Sequence, residues 1–573
     1  MIKKSNYLCT LMILSALMLI FNACKDNSDD PQISGNAPVI SLTDSEKSGQ
    51  PGNNVTTAVT INAVKGLKKL NIYKNGTLLD ELPYSFEKTI SYNFTYQIDE
   101  GSPEGTVINI AFEAIDSLDQ KSAQKSFKIT VLAASVKETI QVTSDITSNT
   151  TWTANKFWRI NDIIKVADGA ILTIEPGTVV LGASDTKGTL LIQRGAKIIA
   201  DGTATQPIIF TSDKAPGSRA AGDWSGIVIC GKAPNNQGNS IILEGDYGAA
   251  HGGTVADDNS GILRYVRIEF AGKVIGDNKE INSLTLASVG SATVIENIQC
   301  SYGLDDSFEF FGGTVNAKRL ISYKTIDDDF DFDFGYVGLI QYGYAIRDAN
   351  LADRFTSNGI EVDNDGAGTP KTPLTHPILA NITIIGGKYA ADINQSLLLQ
   401  NAVHIRKNSA PCLYNSFMTG FPVGIFVDDT KPGVSQNALD NKLQVRNVIL
   451  AGVENWGNNG WGGPNGTLNI PLKQIDNSIA PGFEVNAWYN TASYQNQILN
   501  KWQDAGIDQS IYTSTSPKNT PNTGSLLLTS AHWDNAPAAN VNFFDKVNFI
   551  GAFGSQDWAS GWCSWDPQNE VYQ

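Results

Sequence analysis

Short apolar segments recur in the middle of this chain at a nearly regular interval, and this spacing constrains the fold more than any other feature of the sequence. Gly169-Ala170 opens one apolar segment, and Gly195-Ala196 opens a similar segment 26 positions later. A strand and turn of this length cannot bury an apolar face alone, so neighbouring units must stack. The spacing therefore predicts a right-handed parallel β-helix, with an array of β-sandwiches as the structural alternative.

The block before this repeat has a different pattern. Between residues 37 and 133, apolar and polar residues alternate in short runs, which is typical of strands with one buried face. Asn75-Gly76 is the residue pair that a type I′ hairpin turn prefers. Because the block contains no Cys or Trp, it predicts an Ig-like β-sandwich without the antibody-type core.

The C-terminal region is rich in tryptophan, with eight of the eleven Trp in the last 120 residues. A solenoid needs its open end covered, so this region predicts a cap. Ile498, Leu499 and Trp502 would share one face of a helix over residues 491–505, and Gly506 would end it, so this stretch predicts one helix. The chain is thus expected to be all-β, with a signal peptide (1–23), a lipidated tether (24–36), an Ig-like β-sandwich (37–133), a parallel β-helix (140–454) and a C-terminal cap region (455–573).

The N-terminus has the composition of an export signal. Lys3 and Lys4 precede an apolar run that ends at Phe21 and is too short to span a bilayer. The sequence around Ala23 and Cys24 resembles the lipobox of bacterial lipoproteins, and the acidic residues that follow resemble the signal that directs such proteins to the outer face of the outer membrane. We therefore expect lipid attachment at Cys24 and display on the cell exterior.

Charge and composition exclude several function classes. A net charge of −16 lacks the basic surface that nucleic acids require, so metal ions or cationic ligands are the better electrostatic partners. The four His are far apart, and the chain has no HExxH spacing, no GxSxG motif and no phosphate loop. The remaining Cys230, Cys300, Cys412 and Cys563 are widely spaced, which favours small buried side chains over a zinc or redox site.

Several short motifs are distributed along the chain from residue 174 onward. They are Ile174 to Thr178, Pro216 to Ala220, Gly222 to Gly226, Asp305 to Gly313, Asp327 to Gly335, Ile550 to Gly554 and Asp557-Trp558. Taken as a set, they resemble a family of Bacteroidota lipoproteins in which an Ig-like module precedes a right-handed parallel β-helix. The resemblance covers nearly all of residues 150–565. It implies the fold and the location and adds no chemistry.

Residues 305–365 carry the strongest chemical signal, with thirteen Asp or Glu against five Lys or Arg. A period of two predicts a strand with Asp327, Asp329, Asp331 and Asp333 on its outer face. Phe330, Phe332 and Phe334 then point into the core. One coil earlier, Asp305 and Glu309 take the matching outward positions. Stacked strands lie about 4.8 Å apart, so the carboxylates of the two coils should form a ladder.

Like charges at this spacing repel, so a cation should neutralise them. Calcium is the preferred candidate because it accepts several carboxylate oxygens in loose geometry. Glu361 to Gly366 resembles the start of a calcium loop, although Thr372 stands where an EF-hand would have its closing Glu. The alternative is a solvated network with Lys318, Arg319, Lys324, Arg347 and Arg354. The candidate metal ligands are Asp305, Asp306, Glu309, Asp327, Asp329, Asp331, Asp333, Glu361, Asp363 and Asp365.

No catalytic residue is assigned from the sequence, but two enzyme classes stay open because β-helices often act on polysaccharides. A lyase would need a metal beside a basic residue, for which Lys324, Arg347 and Arg354 are candidates. A glycoside hydrolase would need two carboxylates. Asp305-Asp306 and His404 to Lys407 resemble motifs of the polygalacturonase family, but its Gly-His-Gly is missing and His251 precedes the acid pair.

The expected function is a surface-exposed binding or interaction module for a carbohydrate or a protein such as an outer-membrane uptake protein, with a calcium-binding acidic patch. A polysaccharide lyase or hydrolase is the alternative. Solvent-exposed Asp305, Glu309 and Asp331 beside an unpaired cation would favour the enzyme, and fully paired acids would favour the binding module. The candidate residues for stacking on sugar rings are Trp456, Trp461, Trp558 and Trp562.

Overall fold

The computed structural model describes residues 37–572 except 100, 134–136, 244–247, 249, 277–278, 391, 455, 458–468 and 476–479. The predicted signal, the tether with Cys24, and Trp461 lie outside the described residues. The chain divides into two compact units, Met1–Ser135 and Val136–Gln573. Among the described residues, no helix has the length and apolar character needed to cross a membrane.

The first unit is a β-sandwich of two sheets. Its core holds large buried side chains such as Phe112 and Phe127. Asn75 and Gly76 both have positive φ, so the predicted type I′ turn joins β4 to β5. One sheet has the order β1-β3-β6 and the other β2-β8-β7-β4-β5. The strands are β1 Val39–Leu42, β2 Glu46–Gly49, β3 Asn54–Asn62, β4 Leu67–Lys74, β5 Thr77–Pro83, β6 Thr89–Gln97, β7 Val107–Asp116 and β8 Lys125–Val131.

The second unit is a parallel β-helix. Its strands are β9 Glu138–Val142, β10 Thr150–Trp152, β11 Lys156–Ile160, β12 Ile163–Val166, β13 Ile171–Ile174, β14 Val179–Gly182, β15 Thr189–Ile192, β16 Lys197–Asp201, β17 Ile208–Ser212, β18 Gly226–Cys230, β19 Ile241–Ile242, β20 Ala250–His251, β21 Gly261–Glu269, β22 Val274–Gly276, β23 Lys279–Glu280, β24 Leu284–Ala287, β25 Val294–Ser301, β26 Phe308–Phe311, β27 Asn316–Tyr323, β28 Phe330–Asp333, β29 Leu339–Ile346, β30 Ser357–Val362, β31 Ile378–Ala380, β32 Thr383–Ile385, β33 Leu399–Ile405, β34 Cys412–Thr419, β35 Val423–Asp428, β36 Gln444–Ala451, β37 Ile470–Ile475 and β38 Gln497–Leu499.

Two long sheets wind around one apolar interior. The larger has 16 strands, from β9 to β38. We call it the strap-facing sheet because a C-terminal segment, residues 502–572, packs on its outer face. The other has 10 strands in the order β12-β15-β18-β24-β26-β28-β30-β33-β35-β37, and we call it the acidic sheet. Neighbouring strands pair in parallel in both sheets, as in the contact of β26 with β28. The predicted fold class, a β-sandwich followed by a right-handed parallel β-helix, is confirmed.

The repeat seen in the sequence is the coil of this solenoid. Ile171 pairs with Lys197, 26 positions later, and Phe308 pairs with Phe330, 22 positions later. Identical positions therefore stack inside the helix, where the rings of Phe308 and Phe330 lie 5.4 Å apart and those of Phe310 and Phe332 lie 5.0 Å apart. Both pairs are buried and stacked, so each coil places its aromatic side chains directly on the next.

The C-terminal region covers the helix in two ways. Phe483, Trp488 and Tyr489 join the interior core and close its end, as expected of a cap. Residues 502–572, which we call the strap, instead lie along the outer face of the strap-facing sheet. Trp502 packs there with Ile449 in a core that extends to Trp562. The helices of the described residues are α1 Val434–Leu439, α2 Val485–Tyr489 and α3 Ser510–Thr513, with 3-10 turns at Ala492–Tyr494, Trp502–Ala505, Leu526–Leu528 and Pro537–Ala539.

The single helix predicted over residues 491–505 is wrong. Gln497–Leu499 forms β38, which pairs in parallel with β36 and adds a rung to the sheet. Two short 3-10 turns flank it. Sheet pairing here outweighs a local helical pattern, although Gly506 does end the segment in the left-handed conformation, as predicted.

The aromatic stack should dominate the stability of the central coils. We expect Phe332→Ala to lower the free energy of unfolding by about 3–5 kcal/mol, since it leaves a cavity between Phe310 and Tyr336. Phe355→Ala is the control, because Phe355 is 68% exposed and its removal should change stability by less than about 0.5 kcal/mol. Chemical denaturation followed by fluorescence measures both, and equal effects would contradict the stack.

Candidate metal-binding site

Strand register places three acids in one column on the acidic sheet. Glu309 on β26 pairs with Asp331 on β28, and Asp331 pairs with Glu361 on β30. The column continues to His404 on β33 in one direction and to Thr285 on β24 in the other. The predicted carboxylate ladder therefore exists, and it has three acidic rungs between a hydroxyl and an imidazole.

A second column lies three positions before the first and consists of side chains that bind the next coil. The side-chain oxygens of Asn282, Asp306 and Asp328 each accept the backbone N–H of the following rung, namely that of Asp306, Asp328 and Asn358. Asn401 then donates to the side chain of Asn358 at 2.7 Å. These side chains satisfy buried amides where the strands begin, so this column holds the turns in place.

The two columns bring carboxylates together in three overlapping groups. The ligand atoms within each group lie within 4.8 Å of one another. At this distance two ionised carboxylates repel by about 1 kcal/mol in water and by several times more near a protein surface. Such groups of oxygen donors could hold a hard metal ion. The groups are Asp305 with Asp306 and Asp327, Asp306 with Glu309 and Asp331, and Asp328 with Asp331 and Glu361.

Asp306 and Asp331 each belong to two of the three groups. An oxygen of Asp306 already accepts the backbone N–H of Asp328, so Asp331 is the centre of this arrangement. Its Oδ1 is buried without a hydrogen-bond partner. Burial raises the pKa of Asp331 well above its usual range, and Glu361 and Asp363 raise it further. A buried carboxylate oxygen without a donor is costly, so this position favours either a proton or a cation.

Two amide side chains of the second column donate hydrogen bonds to the first and last acids of the ladder. Asn282 donates to Glu309, and Asn358 donates to Glu361 at 2.9 Å. Sequence reasoning missed both Asn residues. A signal existed, since Asn282 and Asn358 each stand two positions before the first core residue of a strand, as Asp306 and Asp328 do. No donor of this kind contacts Asp331 Oδ1.

Basic residues neutralise one end of the ladder. Arg406 forms ion pairs with Glu361 and with Asp363, the latter at 2.7 Å, and Lys407 reaches Asp363 at 2.6 Å. These two cations belong to the His404 to Lys407 stretch that the sequence linked to a polygalacturonase motif. In the structure they compensate acids of the neighbouring coil, while His404 Nε2 lies 3.1 Å from Asp428.

The predicted network of five basic residues forms only in part. Arg347 is buried and lies 3.4 Å from Asp329. Lys318 and Arg319 pair instead with Asp545 and Glu296, which lie outside the acidic segment. Lys324 lies over the rings of Tyr302 and Tyr323, 5.8 and 5.1 Å from their centroids.

Arg354, the fifth of these residues, pairs with Glu280 at 3.6 Å beside an open cleft of about 620 Å³. Asp305 and Asp327, two members of the first acid group, line the same cleft. Asp353 and Phe355 also line it. The cleft thus connects solvent to the acids, and Asp306 links the first group to the ladder. Its volume is in the range of ligand sites.

Several predicted positions need correction. Asp329 does not face outward, because β28 starts only at Phe330, and Asp329 is fully buried against Arg347 and Ser322. Phe334 lies after the end of β28 with positive φ and packs outside the main core against Phe311. The period-two pattern therefore holds only within β28 itself. Asp333 faces outward as predicted, but its partner on β26 is Phe311 rather than an acid.

The segment resembling a calcium loop serves three separate roles. Glu361 is a rung of the ladder, and Asp363 is paired with the cations described above. Asp365 accepts hydrogen bonds from the backbone of Ala367 and Thr369, which forms a turn. Of these three acids, only Glu361 belongs to one of the carboxylate groups described above, and a loop-type calcium site at this segment stays a prediction.

The four Trp residues proposed for sugar stacking have different environments. Trp562 is 1% exposed and lies in the strap core, so it offers no ring face to a ligand. Trp456 packs against the interior core and donates to the carbonyl of Leu499. Trp558 is half-buried and lines a separate cleft. Trp461 lies outside the described residues.

The remaining candidates are buried. His251, considered as a hydrolase residue, is fully buried, and burial lowers its pKa to about 4. Cys230, Cys300 and Cys412 are buried free thiols, as predicted, whereas Cys563 is half-buried in the strap core.

Comparison with known proteins identifies the family of the β-helix unit. The sequence model of the pectate-lyase-like β-helix domain family matches residues 144–493. The catalytic unit of the GH87 α-1,3-glucanase from Streptomyces thermodiastaticus strain HF3-3 is 12% identical over 81% of this chain and 95% of that chain, with a TM-score of 0.25. The fibronectin(III)-like modules of Clostridium thermocellum CbhA are 19% identical over 17% of this chain and 100% of theirs, with a TM-score of 0.14. No curated protein matches the sequence. Both structural scores are too low to support an inference.

The buried acids predict an unusual pH dependence. Burial raises the pKa of Asp329 to about 6, that of Asp327 to about 7 and that of Asp333 to about 8. A carboxyl group with a raised pKa binds its proton more tightly in the folded state, so its stabilising effect is complete below about pH 4 and is lost as the pH rises through the folded-state value.

We therefore expect the free energy of unfolding in EDTA to fall by on the order of 2–4 kcal/mol between about pH 5 and pH 8.5. Denaturant titrations at several pH values measure this change. Asp327→Asn should make the slope shallower, because it removes one titrating group. A stability that stays constant or rises over this range would contradict the structure.

Proposed function

This chain belongs to the pectate-lyase-like β-helix domain family, and we propose that it binds calcium at the carboxylate ladder and uses the bound ion to hold an acidic polysaccharide. The observation that carries this proposal is the buried, unpartnered Oδ1 of Asp331 among carboxylates that connect to an open cleft. The donors are all carboxylate oxygens, which suits a hard cation.

The acids of the ladder are only partly paired with basic residues, which supports calcium binding at the ladder. Glu361 is already compensated by Arg406, whereas Asp331 belongs to two acid groups and keeps an unsatisfied oxygen. A cation near Asp306 and Asp331 would relieve the repulsion and remove the need for buried protons. An ion coordinated at the cleft end, near Asp305 and Asp327, would keep coordination positions for carboxylates of a sugar chain.

A polysaccharide lyase is the second candidate, and the position of Arg354 favours it. The side chain of Arg354 is 59% exposed and lines the cleft together with Asp305 and Asp327. In a lyase reaction, a basic group would take the proton next to the uronate carboxylate, and a C4–C5 double bond would form. The C4–O glycosidic bond would break and release the oxygen as the hydroxyl end of the departing chain. Arg354 would accept the proton in its neutral form, which the positive charge of a nearby metal ion would favour. Arg354 also pairs with Glu280, so the arrangement satisfies the criterion for an enzyme only in part.

We further propose that the chain acts at the cell surface. Cys24 would carry the lipid, residues 25–36 would form a tether, and the Ig-like sandwich would serve as a spacer for the β-helix. An outer-membrane uptake protein would be a natural partner, because a polysaccharide held at the surface needs a route into the cell. The sequence of the N-terminus supports this proposal.

Calcium binding can be tested by calorimetry on the signal-free protein at about pH 8. We expect Asp331→Asn to weaken calcium binding by at least about tenfold, since it removes the ligand shared by two groups. Asp185→Asn is the matched control with the same charge change, because Asp185 is exposed and pairs with Arg159 in another coil. Equal affinities of the two variants would refute the ladder as the metal site.

The same proteins distinguish the two functions in gels that contain polygalacturonate. Binding predicts retarded migration that calcium restores after EDTA treatment and that Asp331→Asn abolishes. A lyase would in addition produce unsaturated sugars with ultraviolet absorbance, and this activity should disappear in Arg354→Gln while calcium binding remains. If calcium has no effect on migration, the acids do not hold the polysaccharide.

Lipid attachment requires its own test. We expect the full chain to incorporate labelled palmitate and to stay in the outer-membrane fraction, and we expect Cys24→Ala to do neither. Cys563→Ala is the control, because Cys563 lies in the strap core. Protease treatment of intact cells reports whether the protein faces the exterior. Normal labelling of Cys24→Ala would contradict the proposed anchor.

A further inference from the structure

We propose that a second cleft, between the strap and the strap-facing sheet, binds an uncharged sugar ring independently of the acidic site. This cleft has a volume of about 480 Å³. Tyr342 on β29 and Arg319 on β27 line it together with strap residues Phe549 and Trp558. The carboxylate ladder lies on the other long sheet, so the proposed function does not use this cleft.

Aromatic side chains form the walls of the cleft. The rings of Tyr342 and Phe549 are stacked, with centroids 6.1 Å apart. Trp558 stacks on Phe553 at 4.6 Å, and its Nε1 donates to the carbonyl of Ala552 at 2.8 Å, which fixes the plane of the indole. The C–H groups of a pyranose ring carry partial positive charge and suit the electron-rich faces and apolar edges of such residues.

The rim of the cleft is polar but uncharged. Asn548, Ser555 and Gln556 are exposed and line the opening. Side-chain amides both donate and accept hydrogen bonds, and hydroxyl groups do the same, so they match the hydroxyl pattern of a neutral sugar. An apolar wall with a few convergent polar groups is the usual composition of a ligand site.

The cleft carries no net positive charge that would favour an acidic ligand. Arg319 is the charged residue of its lining, and its guanidinium pairs with Glu296 at 2.6 Å and lies 5.5 Å from the centre of the Tyr342 ring. Glu296 also pairs with Arg264, which in turn pairs with Asp201, so these two arginines and two acids together leave no net charge for a uronate to complement. A neutral hexose chain therefore fits this cleft, whereas an acidic chain fits the metal-binding side.

The walls are held in place before any ligand arrives. Gly554 is buried, and a Cβ at this position would lie 2.7 Å from a ring carbon of Phe549, so the strap backbone closes directly on the aromatic ring. Gly551 N–H donates to the carbonyl of Asn415 on β34, which ties the same loop to the sheet. A preformed cleft loses little conformational entropy on binding.

The test uses the signal-free protein in EDTA, where the acidic site holds no metal. The probes are cellotetraose, laminaritetraose and maltotetraose, and binding is measured by saturation-transfer NMR and by tryptophan fluorescence. We expect at least one of them to bind, with affinity at least about fivefold lower in Trp558→Ala and in Gln556→Ala. Phe86→Ala, an exposed aromatic residue of the sandwich, is the control and should bind normally.

Gln556 is exposed, so Gln556→Ala keeps the test decisive even if Trp558→Ala fails to fold. Asp331→Asn should leave neutral-sugar binding unchanged, which separates this inference from the fate of the calcium site. The inference is overturned if none of the three probes binds, if the cleft variants bind as well as the control, or if Asp331→Asn abolishes the binding.

Discussion

The stacking of identical strand positions in parallel register is the interaction on which the rest of this structure depends. Each coil places a residue almost directly over its counterpart in the next, about 4.8 Å away. Inside the helix this produces the Phe308–Phe330 and Phe310–Phe332 pairs. Outside it, the same register produces the column Glu309, Asp331 and Glu361. The aromatic core therefore forces the acids together, because a slip that separated the carboxylates would also expose the rings.

Repulsion among the carboxylates of the acidic column destabilises the fold, and neighbouring side chains relieve this repulsion unequally. Asn282 and Asn358 donate to the two outer acids, and Arg406 supplies a positive charge at Glu361. Asp331, in the middle, receives none of these at Oδ1. A column built only for stability would place a hydroxyl or an apolar residue there, as the register does elsewhere with Thr285 and Phe426. The retained carboxylate is thus the strongest physical reason to expect a cation.

The periodicity of the sequence predicted the features that follow from strand register, namely the coil and the acidic ladder. It failed at the ends of strands and at contacts between segments that are distant in sequence. The spacing of the two Gly-Ala pairs predicted the coil, and the alternation of acids with Phe placed Glu309 and Asp331 on neighbouring rungs of the ladder. Asp329 and Phe334 were misplaced because β28 has only four residues, and alternation stops at its ends. The pairing of Arg406 with Glu361 and the contact of the strap with the sheet depend on packing between segments that are far apart in sequence. No local pattern contains that information.

The spacing of the second column, which satisfies the backbone amides at the strand starts, shows how the β-helix accommodates a cleft beside the acids. Its members stand at positions 282, 306, 328, 358 and 401, so the distance between successive members rises from 22 to 43 residues. Asn358 still pairs with Asn401, although the register shifts by one residue of β33 between Ser357 and Asn358. The first extra length supplies the segment from Asp353 to Phe355, which lines the cleft beside the acids. Insertions at the turns cost little, because the rungs on either side stay paired. The rigid ladder fixes the positions of the carboxylates, and the longer turns shape the space beside them.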